Sequence, residues 1–174
     1  MIAPSHGPVY DQPEFMINAY RDWISDAVKN EVVIAFASMH GSTAAMAEYL
    51  TNALIEKGIV VRPFYLPKAD IGELAMALVD AATVIFGCST VQAGAHPQVV
   101  YAAYLANMLR PKTRYAGIIG SYGWGGKMVE QITAALSNLK VEFFDPVIAR
   151  GFPREGDFNA LKQLAERIAE KHKA

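Results

Sequence analysis

From Glu31 onward the apolar positions switch between two rhythms. Short apolar runs at Val32–Ala37, Ile59–Leu66, Thr83–Gly87, Arg114–Gly120 and Val141–Ala149 read as strands. Between and after them, helical spacing predicts helices over Thr43–Lys57, Asp70–Asp80, Pro97–Leu109, Gly126–Leu139 and Glu155–His172. The punctuation agrees with the rhythm. Gly58 stops the first of these helices, Asp70 suits an N-cap, and Pro97 suits a first helical turn. Ahead of the alternation, Phe15, Ile17, Tyr20, Trp23, Ile24 and Val28 predict one amphipathic helix over residues 14–29. Residues 1–13 hold three prolines and one glycine and read as a tail or linker.

Five strands alternating with five helices predict an α/β fold with a five-stranded parallel sheet and helices on both faces. Right-handed crossovers leave the order 2-1-3-4-5 as the natural choice. In such sheets ligands bind beyond the carboxyl ends of the strands, at the switch point between strands 1 and 3. Three loops therefore matter. The first, Ser38-Met39-His40-Gly41-Ser42-Thr43, carries three hydroxyls and no charged lysine, arginine or carboxylate group. A loop that opens a helix offers free N–H groups and the positive end of the helix dipole, which suits a phosphate. In the plain structural alternative, Ser42 or Thr43 merely caps the helix.

The second loop, Gly87-Cys88-Ser89-Thr90-Val91-Gln92-Ala93-Gly94-Ala95-His96-Pro97, is long for a strand-to-helix connection. Its small residues permit close backbone approach to a flat ligand. The third, Gly120-Ser121-Tyr122-Gly123-Trp124-Gly125-Gly126, sets two aromatics among four glycines, a platform for a planar ring. One phosphate loop and two ring loops imply a mononucleotide with a large planar head, which flavin mononucleotide (FMN) fits. The glycines do not form a dinucleotide fingerprint, and no P-loop lysine is present. A phosphoacceptor regulator of this topology would need an aspartate where Gly87-Cys88 stands.

Composition narrows the classes. The chain has 174 residues, 52% hydrophobic and 19% charged, enough for one folded domain. A net charge of -1 gives no basic footprint for nucleic acid. The single cysteine, Cys88, excludes an internal disulfide. No apolar run reaches membrane-spanning length and the first residues lack signal-peptide character, so no membrane role and a cytoplasmic location are expected.

The three loops, in order on the right strands, resemble the flavodoxin family over Glu31–His172. They are most similar to the C-terminal flavodoxin-like domain of flavodiiron proteins, also called A-type flavoproteins. The first loop is similar to T-M-W-G-S-T, the second to G-S-P-T-x-N-x-G-x-x-P, and Gly120–Gly126 to G-S-Y-G-W-S/G-G. Pro4-Ser5-His6-Gly7-Pro8 is similar to a segment that ends the metallo-β-lactamase-like iron domain, where the histidine is an iron ligand. The departures are His40 for tryptophan, Gln92 and Ala93 in an asparagine-rich stretch, and His96 for an apolar residue.

The resemblance implies a flavodoxin-like FMN-binding domain over residues 31–174, preceded by a linker remnant and helix over residues 1–30. It implies an electron-transfer module that serves a di-iron oxygen or nitric oxide reductase domain or subunit, with possible self-association. The cofactor residues expected are Ser38, Met39, His40, Gly41, Ser42 and Thr43 at the phosphate. Ser89, Thr90, Val91, Gln92, Ala93 and Gly94 line the ring. Ser121, Tyr122, Gly123, Trp124, Gly125 and Gly126 close over it. With four scattered histidines, no metal site and no complete catalytic site are expected in this chain. The alternatives are an NAD(P)H-dependent quinone reductase of the same fold and a flavin-free assembly domain.

Overall fold

A computed structural model describes residues 1–173. Its elements in chain order are α1 (Pro13–Ile24), β1 (Lys29–Ala37), α2 (Ser42–Ile55), β2 (Val60–Tyr65), α3 (Ile71–Leu78), β3 (Ala81–Val91) and β4 (Gly94–Ala95). They continue with α4 (Pro97–Leu109), β5 (Tyr115–Tyr122), α5 (Met128–Ala135), β6 (Glu142–Phe143), β7 (Val147–Arg150) and α6 (Glu155–Lys173). The sheet runs β2-β1-β3-β5, with β6 and β7 both parallel to β5 along its outer edge. This is the expected order 2-1-3-4-5, with the last lane in two pieces.

Two features enlarge the sheet beyond five strands. The predicted strand 141–149 breaks at Asp145-Pro146, because proline brings no N–H to the ladder. Phe144 still donates its N–H to Ala116 O at 2.8 Å, which keeps the lane in place. The other addition is β4, a two-residue antiparallel partner of β3.

Alternation along the central strands divides the core. Val33, Ala35 and Ala37 face one side, with Leu74 of α3, Val99 of α4 and Ile132 of α5. Val32 and Ile34 face the other, with Leu50 of α2 and Leu161 and Leu164 of α6. Successive strand residues point to opposite faces, so a strand covered on both sides reads as one continuous apolar run. Asp70 caps α3 as expected, its Oδ1 accepting from the N–H groups of Gly72 and Glu73 at 2.7 and 3.1 Å.

The N-terminal helix is shorter than predicted. It ends at Ile24, and Lys29 already belongs to β1. Ser25 Oγ donates to Asp22 O at 2.8 Å and ends the helix there. No residue of α1 is buried, and Phe15, Tyr20, Trp23 and Ile24 are all exposed. Residues before it form one antiparallel bridge, Ile2 with Tyr10.

Candidate functional site

The carboxyl ends of β1, β3 and β5 lie side by side, with Ala37 opposite Cys88 and Ser89 opposite Ser121. Past β1 the chain turns through Gly41, which opens α2 in the left-handed region at φ 86. Neither Ser42 nor Thr43 is the N-cap, and no side chain caps this helix. The first N–H groups of α2 thus have no intrahelical acceptor, and no lysine, arginine or carboxylate stands in residues 38–43. The Thr43 hydroxyl is buried and sits 3.1 Å from Ser121 Oγ, so it ties α2 to β5.

Two neighbouring hydroxyls are different. Ser38 Oγ and Ser89 Oγ are buried with no hydrogen-bond partner in the protein. A buried hydroxyl left unpaired costs about 1–3 kcal/mol, so such groups are normally satisfied. Ser38 follows β1 and Ser89 lies near the carboxyl end of β3, in the segments expected to hold a phosphate and a ring.

The second loop is not a loop for most of its length. β3 runs on to Val91, and the chain reverses over Gln92 and Ala93 before pairing Val91 with Gly94 and Thr90 with Ala95. Both turn residues are left-handed, at φ 47 and φ 63. Hairpins of this kind favour Asn-Gly because each L-residue in that region costs about 1–2 kcal/mol. Nothing in Gln-Ala announces such a turn, so the sequence reads as an irregular loop. Distant groups hold it. Lys127 donates its N–H to Ala93 O at 2.9 Å, and Ala95 donates its N–H to Gln131 Oε1 at 2.7 Å. Thr90 Oγ1 donates to Ser121 O at 3.1 Å, fastening the hairpin base to β5.

The third loop leaves β5 at Tyr122. Trp124 is 85% exposed at its tip, and Tyr122 is half-buried. A Cβ at Gly123 or Gly125 would meet nothing within 4 Å, so this rim is open on its ligand side. Thr90, Tyr122, Gly125, Gly126, Met128, Val129 and Ile148 line a cavity of about 260 Å³ between the hairpin and this loop. A larger hollow of about 500 Å³ lies between the start of β1 and α3, walled by Lys29, Glu31, Arg62 and Asp80. Four of its charges are paired, Arg62 with Glu31 at 2.8 Å and Lys29 with Asp80 at 2.8 Å, and Glu73 also lines it.

Other candidates have structural roles. His96 caps α4, its Nδ1 accepting from the Gln98 N–H at 3.3 Å, and burial holds its pKa below the ordinary value. Its own N–H donates to Cys88 Sγ at 3.1 Å. Burial pushes the Cys88 thiol up to about 11, so it is a packed, protonated group and not a nucleophile. His40 and Met39 are exposed beside Gly41. His6 is exposed between Ile2 and Tyr10. Among the described residues, no group of three or more His, Cys, Asp or Glu is placed to hold a metal ion. No helix among them is long and apolar enough to cross a membrane. Sequence reasoning missed Lys127 and Gln131, which hold the hairpin from α5 and its approach; a helical glutamine gives no local signal of that role.

The donor set fits FMN: uncapped N–H groups and free hydroxyls for a phosphate, open glycines and aromatics for a ring. Comparison with known proteins agrees. The sequence pattern of the flavodoxin family matches residues 34–171. Coenzyme F420H(2) oxidase of Methanocaldococcus jannaschii is 32% identical over 181 residues, covering 98% of this chain and 43% of that protein. The solved structure of rubredoxin oxygen:oxidoreductase from Desulfovibrio gigas superposes with a TM-score of 0.88 at 28% identity, over 94% of this chain and 41% of that one. A flavodoxin from the domain Archaea superposes with a TM-score of 0.71 at 25% identity, over 83% of this chain and 99% of that one. The chain spans less than half the length of the curated relatives it matches. It belongs to the flavodoxin family, as an FMN-binding electron-transfer module of the kind found in flavodiiron proteins.

Proposed function

We propose that this module passes electrons from its FMN to a di-iron, metallo-β-lactamase-like oxygen or nitric oxide reductase domain, carried on a longer chain or on a separate subunit. Residues 31–174 are the FMN domain in this reading, and residues 1–30 are a linker remnant and helix. The module works in the cytoplasm, alone or in a homo-oligomer that sets it against the iron site. Relatives named as an oxidase of coenzyme F420H(2) and as a nitric oxide reductase support that class of acceptor.

The observation that carries the site assignment is the pair of buried, unpartnered hydroxyls, Ser38 Oγ and Ser89 Oγ, beside an uncapped helix start. Ser38 and Ser42 hydroxyls, with backbone N–H groups from Met39 to Thr43, hold the phosphate. Thr43 acts through its backbone, since its hydroxyl is engaged with Ser121. Ser89, Thr90, Val91, Gln92, Ala93 and Gly94 line the ring from the hairpin side. Tyr122 and Trp124 cover it, and Gly123, Gly125 and Gly126 let the backbone come near. FMN supplies the electron chemistry when bound, and the protein binds, orients and tunes it.

The test is the visible spectrum of the protein after incubation with excess FMN and desalting. Retained flavin bands in the blue and near ultraviolet are expected. A colourless protein overturns the reading in favour of an assembly domain. Flavin bleaching by NAD(P)H alone, with no partner added, overturns the relay in favour of a quinone reductase.

A further inference from the structure

The hairpin tip is the most strained stretch of the described chain that no local residue explains. Gln92 and Ala93 are both left-handed, neither is glycine, and both side chains are exposed. Packing by their own side chains therefore does not impose the conformation. What imposes it arrives from α5. Lys127, just before that helix, donates its N–H to Ala93 O at 2.9 Å. One turn on, Gln131 accepts the Ala95 N–H on its side-chain oxygen at 2.7 Å. The Gln131 N–H in turn donates to Lys127 O at 3.0 Å, so both clamps sit on one helical turn. The fit on the hairpin side is tight. A Cβ added at Gly94 would stand 3.0 Å from Gln131 Oε1, and one at Gly126 would stand 2.9 Å from Ala93 O.

We propose that Gln131 is a positioning residue that holds the Gln92–Ala93 turn in its left-handed form and thereby sets how tightly, and at what potential, the module holds FMN. This rests on the reading that residues 90–94 line the ring. Gln131 is exposed on α5 and acts through the Ala95 N–H, not by touching the ring. The stretch Gly123–Lys127 runs from Trp124 into the same clamp. A strained turn holds its geometry only while its surroundings over-determine it. Releasing one of two clamps lets Gln92 and Ala93 relax toward right-handed backbone and moves the carbonyls and N–H groups of residues 92–94.

The test uses the full chain and three variants: Gln131→Ala, Gln131→Glu, which keeps an acceptor oxygen, and Ala93→Gly, which removes the strain. The first readout needs no flavin. Amide exchange of the Ala95 N–H in FMN-free protein should quicken about 10-fold in Gln131→Ala, for the loss of one hydrogen bond. Exchange in the core strands β1 and β3 should not change. The second readout is FMN affinity and midpoint potential. Gln131→Ala should weaken binding about 5- to 10-fold and shift the potential, and Gln131→Glu should restore both toward wild type. In an Ala93→Gly background, Gln131→Ala should cost less, because glycine keeps the left-handed turn unaided.

Unchanged Ala95 exchange in Gln131→Ala overturns the clamp. Faster exchange with unchanged affinity and potential overturns the positioning role while leaving FMN binding intact. A wild-type protein that takes up no FMN overturns the ring-site reading and the tuning with it; the clamp then stands or falls on Ala95 exchange alone.

Discussion

The two ends of the sheet treat their polar groups in opposite ways. At the start of the strands, nearly every polar side chain is engaged. Lys29 and Lys112 both reach Asp80, at 2.8 and 2.9 Å. Thr113 Oγ1 donates to Ala81 O at 3.0 Å. His172 joins two strands, with Nε2 2.7 Å from Thr83 Oγ1 and Nδ1 2.8 Å from Asn30 Oδ1. An amide oxygen only accepts, so Nδ1 carries the proton and Nε2 receives the Thr83 hydroxyl hydrogen. Asp80 Oδ1 meets Lys112 as an ion pair without an aligned hydrogen bond. At the carboxyl ends, two serine hydroxyls are buried without partners, a helix starts uncapped, and a turn is left-handed without glycine. One end is finished by the chain itself. In the proposed reading, the other is finished by a ligand.

The largest effects should come from the glycines that let the strands close at the ligand end. A Cβ at Gly120 would collide with the Cys88 carbonyl oxygen, and one at Gly87 would stand 2.5 Å from Phe36 Cβ. Neither neighbour is a flexible tip. Gly120→Ala and Gly87→Ala should each cost about 3 kcal/mol or more, a large share of a domain's margin. Gly123→Ala, with open space around its Cβ, should stay within about 0.5 kcal/mol. Thermal melts of the three variants decide this. Equal melting temperatures would mean that the strand ends part easily and that the contrast between the ends is only chemical.

The next effect separates the ends by function. Ser89→Ala removes a hydroxyl that has no partner in the protein, so flavin-free protein should be as stable as wild type or more stable by up to about 1 kcal/mol. FMN affinity should fall about 10-fold, the value of one lost hydrogen bond. Thr83→Val should do the reverse. It leaves His172 Nε2 without its donor and should cost about 1–2 kcal/mol, with FMN affinity unchanged. Urea unfolding with and without FMN measures both. If Ser89→Ala destabilises the flavin-free protein, Ser89 is part of the scaffold, and the ligand end is not incomplete in the way the contrast requires.

This contrast also explains which parts of the molecule are legible in the sequence. The central strands are plain because burial on both faces leaves an unbroken apolar run, as in Val32–Ala37. Pro97 and Asp70 mark helix starts through local chemistry that any chain shares. The hairpin at Gln92-Ala93 is hidden because its conformation is held by Lys127 and Gln131, more than thirty residues away. The break at Asp145-Pro146 is visible as a proline, yet both halves still pair with β5, so neither the composition nor the spacing shows that one lane becomes two strands. The phosphate loop is legible as hydroxyls and glycine. That Gly41, and not a hydroxyl, opens the helix depends on a backbone angle that the residue names do not carry.

Acid should act on the finished end first. Burial holds the His172 pKa below its ordinary value of 6.5. The unfolded chain therefore binds a proton more readily than the folded one. The stability tied to neutral His172 is complete above about pH 6.5 and is lost as pH falls from there through the folded value. His96 has the same sign, also from burial, but it caps α4 near the ligand end. His172→Gln should flatten the loss between pH 7.5 and 5, and His96→Asn, which keeps a cap, should remove only its own share. The Asp80 carboxyl behaves oppositely. Burial pushes it up, the hydrogen bond from Lys29 and the positive charges of Lys29 and Lys112 outweigh that, and its pKa lies below the ordinary 3.8. Its stabilisation is present above that value and disappears only as pH falls through the folded one. Chemical denaturation across pH, for both histidine variants, would break the comparison if His96 and not His172 dominated.

Salt should produce the smallest effect, and its absence at the ligand end is informative. A phosphate held by lysine or arginine loses affinity steeply with ionic strength. Residues 38–43 contain neither, and the second and third loops, Gly87–Pro97 and Gly120–Gly126, contain no charged lysine, arginine, aspartate or glutamate. Neutral N–H and O–H donors at short range are screened little, because counter-ions cannot enter between donor and phosphate. FMN affinity should change by less than about 3-fold between roughly 0.05 and 0.5 M salt. The opposite end carries exposed pairs such as Lys171–Glu142, which screening weakens, though such pairs contribute little to begin with. The melting temperature should therefore shift only slightly over the same range. A fall in FMN affinity of about 10-fold or more would show that a cation from outside the three loops reaches the phosphate. Lys127, which flanks the third loop, would be the first residue to replace. The ligand end would then be completed by charge as well as by hydrogen bonds, and the two ends of the sheet would differ less than their polar groups imply.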